Sequence, residues 1–343
     1  MEARDRKIKV GISIGDPNGV GIEIILKIFQ DKRMFDFFTP IVFASTKLLS
    51  GQRKYFNLQS TLSPYDLNKK PSNNQINVVE VLKQPFQTTF GEATKEGGAV
   101  AIASLKAATK ALKEGTIDVL VTAPINKHNI QSETFDFPGH TDFLAKELGG
   151  DSLMFMVSDT LKVGLLTDHI PVSKVAAAIQ PELIKTKVAK MKTSLIEDFG
   201  LVKPKIAILG INPHTGDNGV IGKEDDSILR PTIKEIYDQG TLLFGPYAAD
   251  SFFGTDLPNQ FDAVLATYHE QGLIPFKTLT FGNGVNFTAG LSKVRTSPDH
   301  GTAYDLAGKG EAKTASFEEA LFYARQIFFN RSAHQEYTPT PKQ

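Results

Sequence analysis

IKVGISIGDPNGVGIEIILKIFQ, residues 8–30, settles the fold class. Residues 8–14 are an apolar run and read as a buried strand. A Gly/Pro turn follows, and residues 17–30 then carry apolar side chains at helical spacing. A strand feeding a helix through a short turn is the unit from which α/β sheets are built. The same alternation continues outward along the chain. Further strands are expected at 40–44, 76–81, 117–122, 153–157, 162–167, 205–211 and 261–267. Of these, 153–157 and 162–167 read as an adjacent pair. Helices are expected at 93–113, at 181–199 with Pro181 in the first turn and Gly200 past the end, near 225–239, and at 317–328. The expectation is therefore an α/β protein with a largely parallel sheet.

The chain has 343 residues, enough for about two domains. No repeat or low-complexity linker separates them, and the polar stretch 60–75 reads as a surface excursion. The two domains are thus expected to be discontinuous, with the chain crossing between them twice. Hydrophobic residues at 41% and charged residues at 22% exclude a disordered or collagen-like chain. Lys plus Arg equals Asp plus Glu at 38 each, so no basic surplus exists to draw in nucleic acid. Cysteine is absent, which excludes disulfides, thiolate zinc sites and thiol nucleophiles and leaves nitrogen and oxygen as metal donors. No apolar run approaches the ~20 residues of a membrane span. The start MEARDRKIKV has no secretory apolar core, so a soluble cytoplasmic protein is expected.

Three of the seven histidines share a setting. His169, His214 and His269 each follow an expected strand, and open α/β sheets bind ligands beyond the carboxyl ends of strands. Three imidazoles at one edge with an open position would make a catalytic zinc-type site. Their spacings of about 45 and 55 residues match no local metal motif, and each is equally readable as an ordinary loop histidine. Nearby loops carry His140 and Thr141 in FPGHTDF, Lys277 in HEQGLIPFK, Asn286 in GNGVNFTAG and Arg295 in KVRTSPDHG. Such side chains suit a phosphate or carboxylate, although solvated surface positions are the commoner fate of each. GDPNGVG, residues 15–21, is not the G-x-G-x-x-G of a Rossmann fold. GVIGKED, residues 219–225, lacks the spacing and the Ser/Thr of a P-loop. The first of these serves either as a strand–helix turn or as part of a site.

Six motifs then occur in a telling order: GISIGDPNGVGIE, VTAPINK, FPGHTDFLA, INPHTGDNGVIGKED, YHEQGLIPFK and GVNFTAGLSKVRTSPDHGTAYDLAGKG. From about residue 8 to residue 330 the chain resembles the 4-hydroxythreonine-4-phosphate dehydrogenase family of vitamin B6 biosynthesis. The resemblance implies two α/β/α domains around a cleft, isocitrate/isopropylmalate dehydrogenase-like and without a Rossmann fingerprint. Residues 1–130 with 255–343 would form the first domain and 131–254 the second, which would carry dimer contacts. It implies a divalent metal on His169, His214 and His269, zinc favoured, with cobalt, nickel or magnesium as alternatives. It implies a small phosphorylated substrate on His140, Thr141, Lys277, Asn286 and Arg295. His140, Lys277, Asp250 and Glu270 are the catalytic candidates. His300, Gly301, Thr302 and Asp305 in DHGTAYDLAGKG are implied to lie near NAD or NADP. The active site is implied to form at a homodimer interface, with metal ligands from both subunits.

The chain departs from the family's usual wording at Glu270, where HDQG becomes HEQG, at Asp142, where HTEFLA becomes HTDFLA, and at Asp168, where threonine is more usual. The expected reaction is oxidation of 4-phosphooxy-L-threonine at C3, followed by decarboxylation to 3-amino-2-oxopropyl phosphate. The alternatives are a dehydrogenase of 4-phospho-threonate or 4-phospho-erythronate in sugar-acid catabolism and, in a different class, a metal-dependent hydrolase that uses no nucleotide.

Overall fold

The computed structural model describes residues 6–132, 135–137 and 139–337. The chain divides into two compact units, Met1–Ser152 with Leu291–Phe329 and Leu153–Gly290 with Asn330–Gln343. Both are α/β, as the strand–helix alternation requires.

In the first unit, β1 (Ile8–Ser13) is buried at every position except Lys9. A strand buried on both faces is what a parallel sheet covered by helices needs. It pairs in parallel with β2 (Phe38–Ala44) on one side and β5 (Val119–Thr122) on the other. Outside β2 lie β4 (Ile76–Glu80) and then β3 (Leu62–Pro64), both parallel. Outside β5 lies β12 (Arg295–Pro298), also parallel, with Arg295 opposite Leu120. Between these strands run α1 (Gly21–Ile28), α2 (Met34–Phe37), α3 (Thr46–Tyr55), α4 (Lys95–Lys113) and α5 (His140–Leu148). Helix α4 starts where Thr94 Oγ1 accepts the Gly97 amide at 3.0 Å, satisfying one of the orphan donors of a helix start. One apolar cluster joins Leu105, Ala108 and Leu112 of α4 to Phe143 and Leu144 of α5 and to Phe135.

The second unit has the order β11 (Val285–Leu291), β6 (Gly150–Val157), β7 (Lys162–Leu165), β10 (Ala263–Ala266), β8 (Ile206–Leu209), β9 (Leu243–Tyr247). β6 and β7, expected as neighbours, form an antiparallel pair. The β7–β10, β10–β8 and β8–β9 pairs are parallel. The helices are α6 (Val175–Ala178), α7 (Pro181–Glu197), α8 (Arg230–Asp238), α9 (Ala249–Phe253) and α10 (His269–Thr280). The last helix of the chain, α11 (Ala315–Tyr337), belongs to the first unit as far as Phe329.

Two boundaries differ from expectation. Residues 131–152 cluster with the first unit, because the aromatic rings around α5 pack on α4. Residues 255–290 cluster with the second, because β10 is hydrogen-bonded between β7 and β8, and Asn330–Gln343, also expected in the first, is assigned to the second as well. The final helix starts at Ala315 and continues to Tyr337, beyond the expected end at residue 328. No helix among the described residues is long and apolar enough to cross a membrane.

Candidate active site

The sheet order of the second unit explains the placement of the three histidines. β7, β10 and β8 are adjacent and parallel, so their carboxyl ends open on the same edge, and these ends lead to His169, His269 and His214. Polar groups extend the ladder past the strands. Thr167 N and Oγ1 both donate to Thr267 O, at 3.2 and 2.7 Å. Gln271 Oε1 accepts from Thr267 N at 2.8 Å, and its Nε2 donates to Gly210 O at 2.7 Å. The three segments are therefore fixed to one another before they diverge.

The rings of His169 and His269 approach to 5.9 Å between centroids. His269 opens α10, and its Nδ1 lies 2.9 Å from Glu270 Oε1. With the proton on Nδ1, the lone pair is on Nε2, the arrangement of a metal-ligating histidine oriented by a carboxylate. His214 sits in a loop with left-handed backbone at four non-glycine residues: His214 (φ 52), Thr215 (φ 53), Asp217 (φ 44) and Asn218 (φ 53). Such conformations cost about 1–3 kcal/mol each and persist only where surroundings enforce them. Here the fully buried Asp225 enforces them, accepting from Ile211 N at 2.8 Å and from Asn212 N at 3.0 Å. Arg230 adds a bond to Thr215 Oγ1 at 2.9 Å.

His214 lines a pocket of about 350 Å³ with Asn212, Asp250, Tyr268 and Gln271. Within one chain, then, the His169 ring lies near that of His269, while His214 lines a pocket together with Asp250. Among the described residues, no three His, Asp or Glu side chains of one chain are disposed to hold an ion.

In the first unit, His140 and Thr141 are the first residues of α5. Arg295, read from sequence as a loop cation, is instead a strand residue only 2% exposed. Its Nε and Nη2 both donate to Thr122 Oγ1, the former at 3.1 Å. Burial lowers its guanidinium to about 9, which leaves it charged at neutral pH. His140 Nε2 is enclosed and has no hydrogen-bond partner. Burial, and then the charges of Arg295 and Lys127, hold the ring well below the usual histidine value. His140 is therefore neutral at neutral pH.

A stability consequence follows. The unfolded chain takes up a proton at His140 near the ordinary value of 6.5, where the folded ring resists it. The unfolded state then binds more protons, so stability is lost as pH falls below that value. Replacing His140 with asparagine is expected to reduce the drop in Tm between pH 7 and 5.5, measured in parallel with the parent. Equal drops would mean that the ring titrates normally in the fold.

Lys277 lies on α10 and is exposed; Asn286 lies on β11 and is half-buried. Their sequence surroundings suggest loops, and the structure places them on regular elements instead. Asp250 and Glu270 are exposed, the first on α9 and the second on α10. In the 299–310 segment His300 Nδ1 lies 2.9 Å from Gly301 O, and its Nε2 is enclosed without a partner. Gly301 faces open space, Asp305 is exposed and Thr302 O accepts the Val20 amide at 3.1 Å. GDPNGVG is thus a strand–helix turn that props this segment. Sequence reading missed Thr122, Lys127, Thr167, Thr267, Gln271 and Asp225. Only Asp225 carried a usable signal, an acidic residue closing a Gly/Asn-rich loop.

The family model of pyridoxal phosphate biosynthetic protein PdxA matches residues 36–324. The chain belongs to the PdxA family. A relative named 4-hydroxythreonine-4-phosphate dehydrogenase from Bacteroides thetaiotaomicron is 45% identical over 329 residues, covering 95% of this chain and 90% of its own. The crystal structure of a 4-hydroxythreonine-4-phosphate dehydrogenase from Klebsiella pneumoniae superposes with a TM-score of 0.82 at 31% identity, covering 96% of this chain and 99% of its own. A relative from Oceanobacillus iheyensis, provisionally named a D-threonate 4-phosphate dehydrogenase, is 34% identical over 327 residues, which are 94% of this chain and 98% of its own. The protein is accordingly a dehydrogenase of the PdxA family.

Proposed function

We propose that this protein oxidises 4-phosphooxy-L-threonine at C3 to 2-amino-3-oxo-4-phosphooxybutanoate, with NAD or NADP as acceptor and one divalent metal per site. The β-keto acid then loses carbon dioxide to give 3-amino-2-oxopropyl phosphate, a precursor of pyridoxal phosphate. The observation that carries the reading is the 45% identity to the Bacteroides enzyme over nearly the whole chain. It holds in a chain that keeps a buried cation and a neutral imidazole in its first unit.

The chain's own residues divide the work as follows. Arg295 holds an anionic end of the substrate; it keeps its charge at neutral pH although burial lowers it to about 9, and Thr122 fixes its orientation. His140, neutral and with Nε2 enclosed, forms a hydrogen bond to the substrate without adding a charge. Thr141, Lys277 and Asn286 complete the substrate contacts, and Asp250 and Glu270 are further acid–base candidates.

His169, His214 and His269 would hold the metal. The donor set fits, since the His169 and His269 rings already approach and Glu270 orients His269. Three imidazoles favour zinc, cobalt or nickel over magnesium. His300, Gly301, Thr302 and Asp305 would lie along the dinucleotide, a fit supported by the enclosed, partnerless His300 Nε2. When bound, the metal acidifies the substrate hydroxyl and the nicotinamide accepts the hydride.

A homodimer sharing the metal site is supported by the apolar side chains that follow each histidine. Val172 is 70% exposed, Val220 82%, Ile274 64% and Phe281 87%. A dimer interface would take such side chains out of water. A cytoplasmic location suits such metabolism.

The test is a metal-replete assay at 340 nm with 4-phosphooxy-L-threonine beside 4-phospho-D-threonate and 4-phospho-D-erythronate, each with NAD⁺ and NADP⁺. A large preference for the amino acid is expected. A preference for either hydroxy acid would move the protein to sugar-acid catabolism, the reading that the Oceanobacillus relative's name supports. Absence of any absorbance change with all three would favour a hydrolase.

A further inference from the structure

One set of polar groups in the first unit that the proposed chemistry does not use converges on Asp16, in the GDPNGVG turn. Asp16 is 1% exposed, yet its carboxylate accepts three hydrogen bonds. Oδ1 accepts from the Asn18 amide at 2.9 Å. Oδ2 accepts from Asn129 Nδ2 and from Tyr304 OH, both at 2.7 Å. A buried carboxylate is tolerated only when its lone pairs are satisfied in this way. Asn129 Nδ2 also donates to Thr94 O at 2.9 Å. Three separate stretches of chain therefore bond one carboxyl group, the turn itself, the loop after β5 and the segment 299–310, and Asn129 ties the start of α4 to them.

The last of these is held elsewhere too. Val20 N donates to Thr302 O at 3.1 Å. Gly19 is packed so close that a Cβ there would lie 2.7 Å from the same carbonyl oxygen, so the turn needs glycine for contact with the segment. Further along, Glu23 is fully buried and pairs with Lys27 at 2.6 Å. Glu23 Oε1 accepts the Ala312 amide at 3.0 Å, and Lys27 Nζ donates to Gly310 O at 2.8 Å and to Ala312 O at 3.1 Å. Both charges are thus spent on the backbone just past the segment.

We propose that Asp16 is a positioning residue for the dinucleotide: through Tyr304 it pins the middle of the segment, while Glu23 and Lys27 pin its end. The stretch that carries His300, Gly301 and Asp305 is thereby held in one shape before the dinucleotide arrives. The proposal rests on the reading of 299–310 as the dinucleotide segment. Ordering a loop in advance removes an entropy cost from binding, so loosening the pin weakens dinucleotide affinity and leaves the chemical step alone.

Tyr304→Phe removes one donor and retains the ring. In the full-length protein it is expected to raise Kd for NAD⁺ or NADP⁺ about tenfold, on the scale of a hydrogen bond to a charged group. kcat at saturating dinucleotide and KM for the phosphorylated substrate should stay within about twofold. Lys27→Met, at the other pin, should act in the same direction. Hydrogen exchange supplies the second readout: without dinucleotide the amides of 299–312 should exchange faster in Tyr304→Phe than in the parent. Unchanged affinity in both variants, with dinucleotide still protecting 299–312 in the parent, would overturn the positioning role alone. Protection of the parent at some other segment would overturn the dinucleotide reading and this proposal with it.

Discussion

His269→Ala is expected to abolish metal binding and to lower kcat/KM by about a thousandfold or more, the scale of losing a bound Lewis acid. The ring is one of the two that approach each other beyond β7 and β10, and it is the one held by a neighbouring carboxylate. Its side chain is 30% exposed, so truncation leaves no large internal cavity, and Tm of the metal-free protein should be nearly unchanged. Cobalt titration followed by visible absorbance reads the site directly, and the 340 nm assay reads its consequence. Glu270→Gln, which keeps the shape and removes the charge, should cost about 10–100-fold, as outer-shell partners of metal ligands do. Full activity of His269→Ala without added metal would sink the metal assignment.

Arg295→Ala is expected to fail in two ways at once. Seen as a loop cation in KVRTSPDHG, Arg295 would affect only substrate KM. The structure places it inside β12 against β5, 2% exposed and bonded to Thr122. Truncation there should cost about 3 kcal/mol of stability through lost packing and a lost hydrogen bond. It should also raise KM for the phosphorylated substrate by about a hundredfold, the scale of a lost buried charge contact. Arg295→Lys separates the two effects. A lysine keeps the charge but not the fork, so Tm should recover in part while KM stays about tenfold high. Urea unfolding and initial rates on the same preparations measure both. An unchanged KM in a folded Arg295→Ala protein would show that the side chain does not touch the substrate.

The sequence shows the strands that are mostly apolar. Residues 8–14 and 117–122 are legible because a strand covered on both faces carries few polar positions, here Lys9, Ser13, Asp118 and Thr122. Helix α10 is not legible, since Gly272 and Pro275 lie inside it and both residues usually punctuate loops. The packing explains the glycine: a Cβ at Gly272 would come within 3.0 Å of Val163, Ala266 and Leu165 side chains, so only glycine lets α10 lie this close to β7 and β10.

The placement of His169, His214 and His269 at strand ends was also readable. That those strands are neighbours was not, because strand order is set by tertiary pairing between residues as far apart as Val163 and Val264. For the same reason Arg295 looked like a surface cation: its partner Thr122 is 173 positions away. The GDPNGVG turn is legible in the sequence as a strand–helix turn. Its task of bracing a distant segment was invisible without Tyr304 beside Asp16.

The pairing of β12 with β5 also bears on how the chain is made. The ribosome delivers Thr122 long before Arg295, and 173 residues at about 5–20 residues per second is a delay of about 10–35 s. Throughout that interval Val119–Thr122 lacks its neighbour on one side, although β1 has been available since the start of synthesis. An unpaired strand edge is a template for the wrong partner, including another nascent chain. The residue that completes this edge of β5 is thus delivered late, and it is the one proposed to grip the substrate.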